Sequence, residues 1–393
     1  GVYFVSRLTY FTYSMFLESG HNLISFNALR TDNSLNSMME PLEYTISTVL
    51  GEGLAASYTD EGWVGSLVSV DFSDGYWIIV NSPALFLTHG YPLDLLPDTT
   101  ILYELNNYFI PNDNNGSNLI SWPSANTVSI SDAIPDDIEG AFLGVFGEGM
   151  AAQQIDSQWE GTLTHFEGLN GYWVLLYEPT TFSFNTNPSG RISGLQMQMH
   201  VEPPPAEFSF NQSMSQSFYF VESVEINNKP ANIDDWIISY CGSTVTGARR
   251  WTGSFTDIPA MGNDGTEFTV GYCRTGEIPV FKYLDSESGD LIALKSNYTP
   301  EWQNNQMFNI ELYGTTTGEI GHPISFSLDS PFPNPFNSTV TIQYAVSEPT
   351  AVTIQVVDSK GNLIDVIKSG TYQDAGMYDI VWQTDAVSSG MYF

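Results

Sequence analysis

Five histidines, His21, His89, His165, His200 and His322, are the only imidazoles with which this chain could run acid–base or metal chemistry. No His-Glu-x-x-His pair, Gly-x-Ser-x-Gly elbow or Walker-type loop accompanies them. His89 and His165 stand singly in turn or strand contexts and read as structural. Two carboxylates hold matching places, Glu52 in Gly51-Glu52-Gly53 and Glu148 in Gly147-Glu148-Gly149. Paired carboxylates are the apparatus of glycoside hydrolysis. A repeated position more simply reports repeated structure, each Glu bonding the backbone of its own Gly-rich turn. Two oxygen-rich runs offer calcium ligands, Asp113 and Asn115 in one, Asp264 and Glu267 in the other. Neither follows an EF-hand loop, and both are equally good turns. The aromatic pairs Tyr76-Trp77 and Tyr172-Trp173 could stack on a sugar, although strand alternation also sends one of each pair into a core. Cys241 and Cys273 are either a disulfide or two separate buried thiols. As a disulfide they would stabilise by roughly 3–4 kcal/mol in the chain-entropy model. These residues predict no catalytic centre and no cofactor beyond calcium.

The elements that position these groups belong to a long, acidic chain. Its 393 residues carry 45 Asp and Glu against 11 Lys and Arg, a net charge of −34. Residues 31–190 hold no Lys or Arg and 21 acids. Such a surface cannot neutralise phosphates, which excludes nucleic acid and anionic membranes as partners. Only 14% of residues are charged while 42% are apolar, a balance suited to an extracellular β-rich protein. No apolar run reaches the length of a membrane span. The opening Gly-Val-Tyr-Phe has no initiator Met, which predicts a removed signal or a piece of a longer precursor.

Residues 22–77 align without a gap on 118–173 at a constant offset of 96. Asn22-Leu23-Ile24-Ser25-Phe26 matches Asn118-Leu119-Ile120-Ser121-Trp122, and Gly75-Tyr76-Trp77 matches Gly171-Tyr172-Trp173. The chain therefore divides into a strand-like arm at 1–8, repeat modules at 9–98 and 99–200, and a Pro-rich linker at 201–206. A β-sandwich at 207–318 and an immunoglobulin-like unit at 323–393 follow. The fold class is mainly β and multidomain, the repeats being small α+β or β modules. Helices are expected at 34–42, capped by Asn33 or Ser34, and as a shorter piece within 129–138, where Pro135 intervenes. Strands are expected at 23–26, 63–70 and 76–80 in the first module. In the sandwich they are expected at 218–226, 236–240, 267–272, 279–283 and 308–313.

Pro333-Asn334-Pro335-Phe336-Asn337, the strand around Thr341-Ile342-Gln343-Tyr344, Val352–Gly361, Trp382 and Gly390-Met391-Tyr392-Phe393 form one pattern. It resembles the C-terminal sorting domain of proteins exported by type IX secretion. It is similar also to the immunoglobulin-like domain of the flagellar hook-cap protein. The resemblance implies an immunoglobulin-like sandwich and an extracellular or cell-surface location. The family continues past Tyr-Phe into a final strand, and here the chain stops at Phe393. Residues 207–315, with Asp235-Trp236-Ile237, Gly247-Ala248-Arg249 and Ile258-Pro259-Ala260-Met261, resemble a β-sandwich of multidomain secreted bacterial proteins. The repeats resemble the Asn-Leu-Ile-Ser…Gly-Tyr-Trp units found beside it.

Gly1-Val2-Tyr3-Phe4-Val5-Ser6-Arg7-Leu8 resembles the strand that ends the sorting domain. Val2, Tyr3, Phe4, Val5 and Leu8 are apolar or aromatic on both faces, which suits a doubly covered strand. The expectation is a secreted structural or adhesive subunit, joined into a homopolymer by donation of this strand to a neighbour's C-terminal unit. The alternative is a non-catalytic glycan-binding or anchoring tail of a larger secreted enzyme or adhesin. A hydrolase is the third reading.

Overall fold

The computed structural model describes residues 11–92, 101–105, 107, 116–186, 202–315, 326–328, 331–337, 339–346, 349–373, 376–383 and 390–392. The protein is mainly β, with several sheets, and among the described residues the helices are single turns. Among the described residues no helix is long and apolar enough to cross a membrane.

The first module runs β1 (Phe11–Leu17), β2 (Gly20–Ile24), β3 (Ala28–Leu29), α1 (Leu35–Met38), β4 (Ile46–Gly51), β5 (Leu54–Thr59), β6 (Gly62–Gly65), β7 (Tyr76–Val80) and β8 (Ala84–Pro92). Its main sheet has the order β2-β7-β4-β5-β6, and β1-β8-β3 forms a second. Phe26, Leu35, Met38, Val49, Ile78 and Phe86 fill the space between them. The expected long helix is shortened. Ser34 caps α1 by accepting the Ser37 N–H, and Pro41 then opens a separate 3-10 turn, since proline brings no N–H to continue the ladder.

The second module runs β9 (Tyr103–Leu105), β10 (Ser117–Ser121), β11 (Val128–Ser129), α2 (Ile130–Ala133), β12 (Phe142–Phe146), β13 (Ala151–Ile155), β14 (Gln158–Gly161), β15 (His165–Phe166), β16 (Gly171–Leu176) and β17 (Thr180–Phe182). Its main sheet, β10-β16-β12-β13-β14, repeats the strand order of the first module's. Ser129 caps α2, which ends before Pro135.

The third unit comprises β18 (Gln216–Ile226), β19 (Lys229–Pro230), β20 (Trp236–Cys241), β21 (Thr244–Arg250), β22 (Thr256–Met261), β23 (Val280–Leu284), β24 (Leu291–Lys295) and β25 (Gln306–Gly314). The expected sandwich takes the form of one connected sheet, β19-β18-β25-β24-β23-β20-β21, with β22 added beside β18. It wraps a core of Tyr219, Ile237, Ile258, Phe281, Trp302 and Ile310. Gly247 of β21 lets that strand approach β22, because a Cβ there would overlap the Pro259 carbonyl. The stretch expected as a strand at 267–272 is instead a 3-10 turn, Glu267–Thr269. Asp264 draws the Thr266 and Thr269 hydroxyls onto one carboxylate oxygen and folds the segment back.

The C-terminal unit places β26 (Ser327–Leu328), β27 (Phe332–Asn337), β28 (Thr339–Val346) and β31 (Gly376–Gln383) in one sheet, and β29 (Thr350–Val357) and β30 (Leu363–Gln373) in another. Val340, Ile342, Val356 and Trp382 pack between them. Asp358 caps the turn between β29 and β30, accepting the Lys360 and Asn362 N–H groups.

The two repeat modules meet about an approximate two-fold axis. Ile24 bridges Asn170 and Asp74 bridges Ile120, positions related by the same offset of 96. The Ser25 N–H donates to the Leu169 carbonyl and the Ser121 N–H to that of Ser73. Backbones this close require glycine. A Cβ on Gly75 would lie 2.8 Å from the Ile120 carbonyl oxygen, and one on Gly171 2.8 Å from that of Ile24. Gly75→Ala and Gly171→Ala are each expected to destabilise by about 1–3 kcal/mol through forced backbone separation. Thermal denaturation checks this, with Gly140→Ala unchanged because nothing lies within 4 Å of its added Cβ.

Candidate functional site

Four of the residues singled out for chemistry, Glu52, Glu148, Trp77 and Trp173, lie at the joint between the modules. β2 and β10 are the edge strands of their sheets, so each turns a row of peptide groups away from its own module. Glu52, in the turn between β4 and β5, accepts the Leu119 N–H of β10 at 2.7 Å and the Asn107 side-chain amide at 2.6 Å. Glu148, in the matching turn between β12 and β13, accepts the Leu23 N–H of β2 at 3.0 Å. The exchange is reciprocal. Each glutamate was expected to bond its own glycine-rich turn and instead serves the other module's edge. Gly53 and Gly149, at φ of 70° and 68°, shape the turns that aim them.

The glycine and tryptophan of each Gly-Tyr-Trp stand at the same joint. Tyr76, Trp77 and Tyr172 are buried at 1%, 2% and 2% exposure, and Trp173 is half-buried. Leu23, Trp77 and Leu119 form the apolar centre, flanked by Trp173, Leu50 and Met214. The Tyr76 hydroxyl accepts the Asp71 N–H and the Tyr172 hydroxyl the Glu167 N–H, both at 2.8 Å, pinning equivalent turns. The expected carbohydrate platform is therefore corrected for Tyr76, Trp77 and Tyr172. Trp77 has no open face because the other module covers it, whereas Tyr76 and Tyr172 point from the opposite sheet face into the cores of their own modules.

The third unit locks the joint from one side. Asp257 of β22 accepts the Ala151 N–H at 3.0 Å, the Thr162 N–H at 2.9 Å and the Thr162 hydroxyl at 2.9 Å. Arg249 of β21 pairs with Asp257 at 3.2 Å and donates to the Gly149 carbonyl. Phe146, Ala151 and Leu175 pack against Phe218 and Phe220 around these polar bonds. The same unit reaches both modules at matching positions. Asn305 donates to the Ser117 hydroxyl at 3.1 Å, and Asp264 lies 3.0 Å from Nε2 of His21. The side chains of that last pair are 0% and 2% exposed, and His21 is walled by the Trp77 and Phe268 rings.

Asp264 is fully engaged. It accepts from the Ser213 hydroxyl at 2.9 Å, the Met214 N–H at 3.2 Å, the Thr266 hydroxyl at 2.7 Å and the Thr269 hydroxyl at 2.6 Å. Burial alone would raise its carboxyl, but His21, Thr269 and Thr266 together hold it below the usual range. These donors fill the lone pairs a calcium ion would need, and Glu267 beside it is exposed. Among the described residues no cluster of three or more His, Cys, Asp and Glu is gathered around a metal position. Cys241 and Cys273 are joined in a disulfide, their Cα atoms 5.2 Å apart. Asp113 and Asn115, with Val2, Tyr3, Phe4, Val5 and Leu8, lie outside the described residues.

His21, Arg249 and Asp257 escaped the sequence reading as joint residues. For Arg249 a signal existed: it follows Gly247-Ala248 in a chain with very few arginines. Nothing local marked Asp257.

Residues 330–393 match the secretion system C-terminal sorting domain. No curated protein and no solved structure matches the chain. The sorting domain marks proteins that type IX secretion delivers to the cell surface or the extracellular space, so this is a secreted, β-rich protein.

Burial pushes the Glu148 carboxyl up to about 7, against the pull of the Leu23 N–H and His21, with Glu18 adding to the rise. A carboxyl raised in the folded state favours folding most below its ordinary value of 4.5, and that advantage is lost as pH rises through about 7. Discounted for residual solvent, the loss is about 2 kcal/mol. Glu148→Gln keeps an oxygen for the Leu23 N–H and removes the titration. Thermal midpoints measured from pH 5 to 8 should fall in the wild type and flatten across the same interval in the variant.

Proposed function

We propose that this chain is a non-catalytic structural or adhesive subunit of an extracellular filament or surface assembly. Copies join head to tail, residues 1–8 of one adding as a strand to the C-terminal immunoglobulin-like unit of the next. The observation that carries this reading is the two-stranded sheet β29–β30. Among the described residues each of its strands pairs only with the other in that sheet, and Leu363, Val366 and Tyr372 are exposed on it. Open backbone edges beside exposed apolar side chains accept an added strand. Val2, Tyr3, Phe4, Val5 and Leu8 supply one whose two faces are both suited to burial. Such a contact joins unlike surfaces, does not close, and so propagates.

The joint supports the non-catalytic part of the reading. Glu52, Glu148, His21, Asp257 and Arg249, the groups most able to do chemistry, each hold one module to another. Salt or divalent cations would ease repulsion between copies carrying −34 charges.

Deletion of residues 1–8 is the test. The full chain should form polymers by light scattering and negative-stain microscopy, and the shortened chain should remain without them. Polymers of undiminished length from the shortened chain would overturn strand donation. A full chain that stays monomeric at high concentration would favour an anchoring tail of a larger secreted protein.

A further inference from the structure

The first module carries an edge strand, β1, separate from the proposed head-to-tail link. Among the described residues it pairs with β8 over all seven positions, from Phe11 opposite Gly90 to Leu17 opposite Ala84, and with no other strand. Among the described residues no strand pairs with the N–H and C=O groups of its far side. Proteins blunt such edges with lysine, proline or a bulge, and β1 has none of these: its sequence is Phe-Thr-Tyr-Ser-Met-Phe-Leu in unbroken register. Phe16 is 63% exposed, and Leu85 and Leu87 of β8 beside it are 61% and 53% exposed. The edge opens on a groove of about 590 Å³, lined by residues 11–16 and by Asn27, Ala125, Thr127, Glu167 and Gly168 across from them. An approaching backbone has room there.

Charge identifies the occupant. Residues 11–17 and 84–92 hold no Asp, Glu, Lys or Arg, in a chain with 45 acids. A basic partner would find no carboxylates on these strands to pair with. A second copy, repelled across most of its surface, could approach without bringing strand carboxylates together, Glu167 being the one carboxylate among the groove residues. We infer that two copies pair β1 against β1 in antiparallel fashion about a two-fold axis at Ser14. That register alone overlaps all seven residues, setting Phe11 opposite Leu17, Thr12 opposite Phe16 and Tyr13 opposite Met15. The half-exposed Phe11 ring gains a neighbour, and the sheet continues through both copies.

The register gives a covalent test in the full chain. Cys241 and Cys273 are bonded to each other, so an introduced cysteine reports alone. Ser14→Cys places two thiols directly opposite, at the Cα separation of about 4.5–5.5 Å that a disulfide spans. Mild oxidation should convert most of it to a linked dimer on non-reducing gels. Thr12→Cys alone should give several-fold less, whereas Thr12→Cys mixed with Phe16→Cys should give linked heterodimers. These yields should persist when residues 1–8 are deleted, which separates this contact from strand donation. Dimer yields from Ser14→Cys no higher than from Thr59→Cys, an exposed position on β5, would overturn the pairing. Equal yields from Thr12→Cys and Ser14→Cys would overturn the register.

Discussion

An edge strand cannot leave its outward amides unmet once another module covers it. That constraint organises the first half of this protein. β2 and β10 each present such an edge, and each is met by a glutamate from the opposite module. A carboxylate suits the task because it accepts without needing to donate, and its side chain spans the gap from a turn. Leu23, Trp77 and Leu119 supply the apolar burial that makes the approach favourable. Gly75 and Gly171 let the backbones come near enough for the bonds to form.

The third unit turns a symmetric pair into an asymmetric body. It covers the second module at Ala151 and Gly149, where Asp257 and Arg249 enter with Phe218 and Phe220. The first module keeps its matching turn open, with Leu54 46% exposed where the half-buried Met150 stands in the other copy. Its chemistry differs accordingly. The Ala55 N–H, equivalent to the Ala151 N–H that Asp257 receives, is met within the module by Ser66 at 3.2 Å. The carboxyls of Glu52 and Glu148 are both raised chiefly by burial.

Much of this architecture was legible in the residues. The repeat stands out because Asn-Leu-Ile-Ser and Gly-Tyr-Trp are kept in both copies, and the leucine, glycine and tryptophan of these motifs stand at the joint. Strands β7, β18, β20 and β25 follow their apolar runs to within a few residues. What covers a strand face is not written along the chain. Trp77 therefore reads along the chain as a core residue or a sugar platform, and the fold buries it between the modules. The strand expected at 267–272 failed because side-chain bonds from Asp264 outcompete β-propensity there. β21 and β22 were missed because Thr-Gly-Ala-Arg and Ile-Pro-Ala are weak strand formers held by their neighbours. Reciprocity between Glu52 and Glu148 was implicit in their shared offset, but one carboxylate gives no direction to its partner.

The two-fold meeting of the modules also bears on how the gene could grow. A contact in which each member gives and receives the same bonds is saturated at two members, unlike the open stacking of solenoid repeats. A third tandem copy would find both Leu23 and Leu119 already taken. Lengthening such a protein by duplication would have to proceed in pairs, or else attach through a different surface altogether.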